Sequence, residues 1–208
     1  MPEVELHNIT MRFGKVVAVD EVNLTIADGE YVTILGPSGC GKTTLIRVIA
    51  GILEPTQGEV YIGGRSMKGV PIEERDLGYV FQNIALFPHM TVRMNAAYGP
   101  TVKDRPVDER EQVARKYLEM VRLLDKMQMF PSELCGGEQQ KASLARALAT
   151  GAKLLLLDEP LSALDARVRV DLRYELRRIT KSLGLTVVHV THDQEEAMSV
   201  SDRIVVMR

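Results

Sequence analysis

The chain has 208 residues, 26 Lys and Arg against 28 Asp and Glu, and a formal net charge of −2. It is long enough to bury roughly 70% of its unfolded surface as one large domain, with no need of disulfide or metal staples. With 45% hydrophobic and 26% charged residues it is neither disordered nor fibrous, and its near-neutral charge argues against an extended nucleic-acid face.

Strands come first. Val4 and Leu6 alternate with polar neighbours, as do Val22, Leu24 and Ile26, which predicts two half-buried antiparallel strands. Ala27-Asp28-Gly29 is a turn signal, and Tyr31-Val32-Thr33-Ile34-Leu35 is a more continuous apolar strand of the buried-sheet kind. After a glycine-rich loop, Leu45, Ile46, Ile49 and Ile52 recur at helical spacing, with Gly51 placed as a stop. Residues 58–62 and 77–81 read as short strands. From about 83 to 150 Pro88, Pro100, Pro106 and Pro131 punctuate helical segments; Val113, Tyr117, Met120, Val121 and Leu124 share one face, and Asp108 with Glu111 resembles a capping box. Strand texture returns at 154–157. A long helix follows, with Val168, Leu172, Leu176, Ile179 and Leu183 inside and Gly184 as stop, then strands at 186–190 and 204–206. Arg167, Arg169, Arg173, Arg177 and Arg178 are expected on the outer, solvated side of that helix. No apolar run is long enough to span a membrane, and residues 1–10 do not form a signal peptide. The two cysteines, Cys40 and Cys135, are too few for a disulfide framework and point to a reducing compartment.

The loop after the third strand carries the first chemistry. Gly36-Pro37-Ser38-Gly39-Cys40-Gly41-Lys42-Thr43 matches the P-loop pattern between strand and helix, and Thr44 follows it. Glycines let backbone N–H groups turn inward around phosphate oxygens, and the helix adds its positive end. Lys42 is expected to reach the β- and γ-phosphates and the Thr43 hydroxyl to ligate Mg²⁺. A metal-side carboxylate is then needed on a neighbouring strand. Asp158 ends the run Leu154-Leu155-Leu156-Leu157 and fits that place. Glu159 follows; in extended chain its side chain would face the other way, toward a water in line with the γ-phosphate, as general base.

Further along, Leu134-Cys135-Gly136-Gly137-Glu138 resembles the signature of ABC ATPases. Four more motifs fit in chain order: Gln82 resembles the Q-loop glutamine, Ser162-Ala163-Leu164-Asp165 the D-loop, His192 the switch histidine, and Phe13 the aromatic that stacks on adenine. The resemblance covers nearly the whole chain. It implies an α/β P-loop NTPase core with a mixed, mainly parallel sheet, an N-terminal antiparallel β subdomain and a mostly helical insertion. As one ABC ATPase domain over 1–208, the core would take 1–82 and 150–208 and the helical subdomain 83–149, with no C-terminal regulatory domain. It further implies that two such domains, as homodimer or heterodimer, close head to tail on two ATP molecules, each held between one chain's P-loop and the other's signature. Gln82 would sense Mg²⁺ and a membrane partner, Asp165 would contact the opposite chain, and His192 would hold the γ-phosphate and orient Glu159.

Ser38-Gly39-Cys40-Gly41-Lys42, the segment Phe87-Pro88-His89-Met90-Thr91-Val92 and the stretch 158–165 resemble importer ATPases of the sugar, polyamine, iron and oxyanion group. Membrane permease subunits and an external solute-binding protein are the implied partners, nucleic acid is not, and the implied place is the cytoplasmic face of the membrane. A soluble ABC ATPase working on nucleic acid or ribosomes is the alternative; about 90 residues separate the P-loop from the signature, with no sustained heptads for a coiled coil. The signature departs from consensus. Cys135 stands where Ser is usual, Glu138 where Gln is usual and Lys141 where Arg is common. A thiol is a weak donor and a poor cap, and Glu138 brings negative charge toward a polyanion, so slower trans-activation is expected.

Overall fold

The computed structural model describes residues 3–208. In chain order it contains β1 (Val4–Phe13), β2 (Val16–Ile26), β3 (Tyr31–Leu35), α1 (Lys42–Ala50), β4 (Gln57–Ile62), β5 (Arg65–Ser66), β6 (Leu77–Val80), α2 (Val92–Val102), α3 (Val107–Met120), α4 (Gly136–Ala149), β7 (Leu154–Asp158), α5 (Ala166–Ser182), β8 (Thr186–Thr191), α6 (Gln194–Val200) and β9 (Arg203–Val206).

The mixed pairing expected for the core resolves into two sheets. β2-β1-β4-β5 form an antiparallel sheet, and β6-β7-β8-β3-β9 form a sheet whose described pairs are all parallel. β7 and β8 are buried along their whole length, as parallel strands covered on both faces must be. Strand alternation divides the core between two layers. Leu154, Leu156, Val188 and Val190 pack with α1 and the antiparallel sheet, including Val4, Leu6, Ile46 and Ile49. Leu155, Leu157 and Val187 face the other way, onto Val92, Ala96, Leu118, Ala145 and Leu148 of the helical cluster. Each fully buried Leu or Ile contributes roughly 1.5–3 kcal/mol, so the sheet is the common wall that joins both layers.

Three local expectations change. α1 stops at Gly51, whose φ of 83° is open to glycine at little strain; Ile52 lies beyond the helix and is exposed. α3 has no side-chain cap: Pro106 holds the N-cap position and Asp108 sits inside the first turn, where it favours the helix dipole without capping. The buried stripe of that segment is Ala114, Leu118 and Val121, with Tyr117, Met120 and Leu124 packed at its edge.

The arginines of α5 are the larger correction. Arg167 and Arg178 are exposed, but Arg173 is only 6% exposed. Arg173 and Arg169 converge on Asp193 at 2.7 and 3.3 Å, and Arg177 reaches Asp202 at 2.6 Å. Three of the five therefore fasten α5 to the segments on either side of α6. Helical periodicity assigns a face, but it cannot show which polar face another element will cover.

Candidate functional site

The loop 36–43 links the end of β3 to the start of α1. Its shape rests on two glycines. Gly41 has φ 97°, and a Cβ there would strike the Ala18 carbonyl; a Cβ on Gly36 would strike the Met207 carbonyl. The loop is thus wedged between β2 and the segment after β9. Gly36 N donates to the Thr191 carbonyl at 3.4 Å, tying the loop to the end of β8. Lys42 is buried and its Nζ donates to the carbonyls of Gly36 and Pro37, each at 2.8 Å. That ammonium is held over the loop mouth, where a phosphate could compete for it. Cys40 is half-buried with its thiol turned toward Lys42, 3.9 Å from Nζ. Ser38 and Gly39 form the loop's outer turn, and Thr44 lies in the first turn of α1.

Asp158 and Glu159 meet this loop from β7. Thr43 Oγ1 donates to Asp158 Oδ1 at 3.0 Å, and Tyr79 of β6 donates from its hydroxyl to Asp158 Oδ2 at 3.1 Å. The Tyr79 phenol is pushed well above its ordinary pKa by burial and by the Asp158 charge, so it remains a donor. Glu159 is not in extended chain: its φ is 45°, a left-handed conformation uncommon for a side chain of this kind. This turn, not pleat alternation, separates the two carboxylates. Glu159 Oε2 lies 3.1 Å from His192 Nδ1 and accepts from Gln82 Nε2 at 3.5 Å. Gln82 thus reaches the same Glu159 oxygen as His192.

Among the described residues no cluster of three His, Cys, Asp or Glu could hold a metal alone. Thr43 and Asp158 supply two hard oxygen donors 3.0 Å apart, which fits Mg²⁺ completed by water and phosphate oxygens rather than by an all-protein cage. Phe13 closes β1 at the hairpin tip opposite Val16, half exposed. Ala18, whose carbonyl abuts the phosphate loop, lies on the return strand.

The signature residues stand elsewhere, at the start of α4. Leu134 is buried and Cys135 exposed. Cys135 makes no side-chain cap; instead its N–H donates to Glu138 Oε2 at 3.0 Å, the reverse half of a capping box. Lys126 pairs with the other Glu138 oxygen. This pairing holds the Glu138 carboxyl below the usual range against the opposing effect of burial, and it neutralises the negative charge the sequence placed there. Lys141 pairs with Glu175 of α5 at 2.8 Å. A Cβ on Gly137 would sit 2.7 Å from Val168, and one on Gly136 3.6 Å from Leu164, so the signature rests on the segment 162–168. There Ser162 Oγ donates to the Glu159 carbonyl at 2.9 Å, Asp165 accepts from Val168 N as the N-cap of α5, and Ala163 is exposed.

Sequence reasoning passed over Tyr79, Asn95 and Glu196. Asn95 is fully buried and bonds Phe87, Met90 and Thr91, pinning the loop before α2. Glu196 had a readable signal, Asp193 with Glu196 three residues on, and Asp193 does accept from Glu196 N at 3.0 Å.

A parallel sheet whose strand feeds a glycine loop and a helix, with a carboxylate ending the strand two places away, defines a P-loop nucleoside triphosphatase. The ABC transporter profile matches residues 19–162, and the chain belongs to that family. It is 51% identical over 204 residues to the sulfate/thiosulfate import ATP-binding protein of Chromobacterium violaceum, a match spanning 98% of this chain and 56% of that protein. It is 48% identical over 206 residues to the spermidine/putrescine import ATP-binding protein of Pseudomonas aeruginosa, spanning 99% and 57%. With the Fe(3+) ions import ATP-binding protein of Brucella abortus it shares 47% over 205 residues, spanning 99% and 58%. The chain spans about half the length of the curated relatives it matches. The dimeric structure of a bacterial ABC transporter cassette superposes with a TM-score of 0.87 at 34% identity, covering 98% of this chain and 94% of that one. A dimeric post-hydrolysis cassette bound to ADP and Pi superposes with a TM-score of 0.86, also at 34% identity, covering 99% and 94%.

Proposed function

We propose that this chain is the ATP-hydrolysing subunit of an importer, working as a head-to-tail pair of such domains. The observation that carries the reading is the pairing of Thr43 with Asp158 beside the pairing of Glu159 with His192. Lys42 and the backbone N–H groups of the loop bind and orient the β- and γ-phosphates. Mg²⁺, held by Thr43 and Asp158, would neutralise charge on the phosphate oxygens. Glu159 accepts the proton of the attacking water while the bond from the γ-phosphorus to the bridging oxygen breaks, leaving ADP and phosphate. His192, 3.1 Å from Glu159, orients that carboxylate. The signature at 134–138 acts on the nucleotide of the second chain, homologous or identical.

No described helix is long and apolar enough to cross a membrane. The proposal places this chain on the inner face beside permease subunits, with a solute-binding protein outside. The import role rests on the names of the relatives. The segment 82–92 is the docking candidate; Phe87 stacks near Tyr98 and lies under Arg146 there. Glu159→Gln is expected to lower ATP turnover by about 10² or more while ATP binding persists and the chain pairs on ATP. Turnover near the parent rate, measured by phosphate release, would sink the reading.

A further inference from the structure

His192 is weakly held by its own side chain. The ring is half exposed, and Glu159 is its one hydrogen-bonding partner among the described side chains. Its position must therefore come from the turn that carries it. Both flanks of that turn converge on one buried residue. Glu196, 2% exposed in the first turn of α6, accepts from Thr191 Oγ1 at 2.7 Å, and its N–H donates to Asp193 Oδ1 at 3.0 Å. Thr191 Oγ1 also accepts from Asp193 N at 3.1 Å. Residues on both sides of His192 thus close on Glu196.

Behind it the chain of contacts continues through the core. Glu196 Oε1 lies 3.2 Å from His189 Nε2, off-line for a hydrogen bond and with no other partner for either atom. His189 is fully buried, and its Nδ1 lies 3.0 Å from the Tyr31 hydroxyl. Burial alone would raise the carboxyl of Glu196; His189 and the Thr191 hydroxyl outweigh it and leave the group lowered, an anion at neutral pH. A carboxylate in an apolar core is costly unless its partners are fixed. These partners are fixed by two neighbouring parallel strands, where Thr33 pairs with His189. β3, which carries Tyr31, also ends in the phosphate loop.

We propose that Glu196, backed by His189 and Tyr31, is a positioning residue that fixes the turn 191–193 and with it the distance from His192 to Glu159. The idea rests on the ATPase reading above. It predicts a fault in turnover rather than in nucleotide binding, because none of the three side chains bonds the loop 36–43. A displacement of about 1 Å at a catalytic group is enough to lower turnover by up to 10².

The test uses the full-length protein in its assembled complex. Glu196→Ala should lower kcat about tenfold or more with the ATP dissociation constant within about twofold. Glu196→Gln, whose carbonyl can still accept from Thr191, should recover part of that loss. Tyr31→Phe, which removes one hydroxyl at the far end of the chain, should lower kcat about two- to threefold. Val187→Ala is the control: it thins the same core, lowers the thermal midpoint and should leave kcat unchanged. Where Glu196→Ala fails to fold, the Gln and Phe variants decide. If those variants lose only thermal stability, as Val187→Ala does, the positioning role is overturned. Glu159→Gln separates the two ideas. Its continued turnover defeats the ATPase reading, whereas its inactivity beside normal Glu196 variants defeats this inference alone.

Discussion

The loops 36–43 and 134–138 both place glycines before a helix, yet they are supported in opposite ways. The first is enclosed: carbonyls of Ala18 and Met207 press on its glycines, Thr191 holds its start, and Lys42 is satisfied by its own backbone. The second stands on the surface of the helical layer, with Cys135 exposed and its support confined to Val168, Leu164, Lys126 and the half-box of Glu138. A loop shaped on every side can bind without rearrangement. A loop supported from below presents its open side to something outside the chain, and a second copy of the domain is what the proposed function puts there.

The comparison can be broken most severely at Gly41. Gly41→Ala puts a Cβ into the Ala18 carbonyl at φ 97°, so the loop must move. ATP binding is expected to fall by about 10² or more, read by equilibrium dialysis, while the fold survives. Cys135, by contrast, is exposed.

Acid should separate the two regions next. Asp202 is held well below the usual carboxylate range by Arg177 against opposing burial, with Tyr31 N and Lys181 adding to the effect. Against opposing burial, Asp193 is lowered by the Glu196 N–H and Arg173 and Glu196 by His189 and the Thr191 hydroxyl, and all three serve the core around α5 and α6. In the helical layer Glu138 is the lowered carboxyl at the signature. A lowered pKa gives stability that is complete above the ordinary carboxylate range and lost as pH falls through the folded-state value. Hydrogen exchange on a falling pH series should therefore open α5 and α6 before α3 and α4, and Asp202→Asn should flatten that response. Simultaneous opening would contradict it.

The smallest effect is expected at the signature itself. Cys135→Ser supplies a capping hydroxyl to α4, which is worth about 1 kcal/mol and should raise the thermal midpoint and the ATPase rate modestly. Glu138→Gln should not help in the same way, because it discards the pairing with Lys126. A large gain from Glu138→Gln alone would show that its charge acts on nucleotide after all.

Some of this was legible in the residue order. Lys42 and Thr43 belong to one contiguous motif, and Asp158 ends a run of four leucines, so local pattern sufficed to name them. Gly51 as helix stop and the strands from 154 and 186 were equally local. The misplaced elements were those whose partners come from distant parts of the chain. Arg173 looked solvated because nothing in its own helix announces Asp193. Glu138 looked repulsive because Lys126 precedes the helix by a loop. The Asp108 capping box failed where Pro106 occupied the N-cap position, while a half-box at Glu138 formed beneath an unpromising cysteine. Glu159 was read as strand, and the left-handed turn that places it cannot be inferred from a glutamate.

The wedge around the phosphate loop also has a kinetic side. Gly36 packs on Met207 and Gly41 on Ala18, and β3 takes its place only between β8 and β9. The contact of Gly36 with Met207 and the pairing of β3 with β8 and β9 close very long loops, and the entropy of closure delays them during folding. A segment that leaves the ribosome early must therefore wait for the most distant strands before it acquires its shape. Competence to hold nucleotide is acquired late, after the sheet has closed around it.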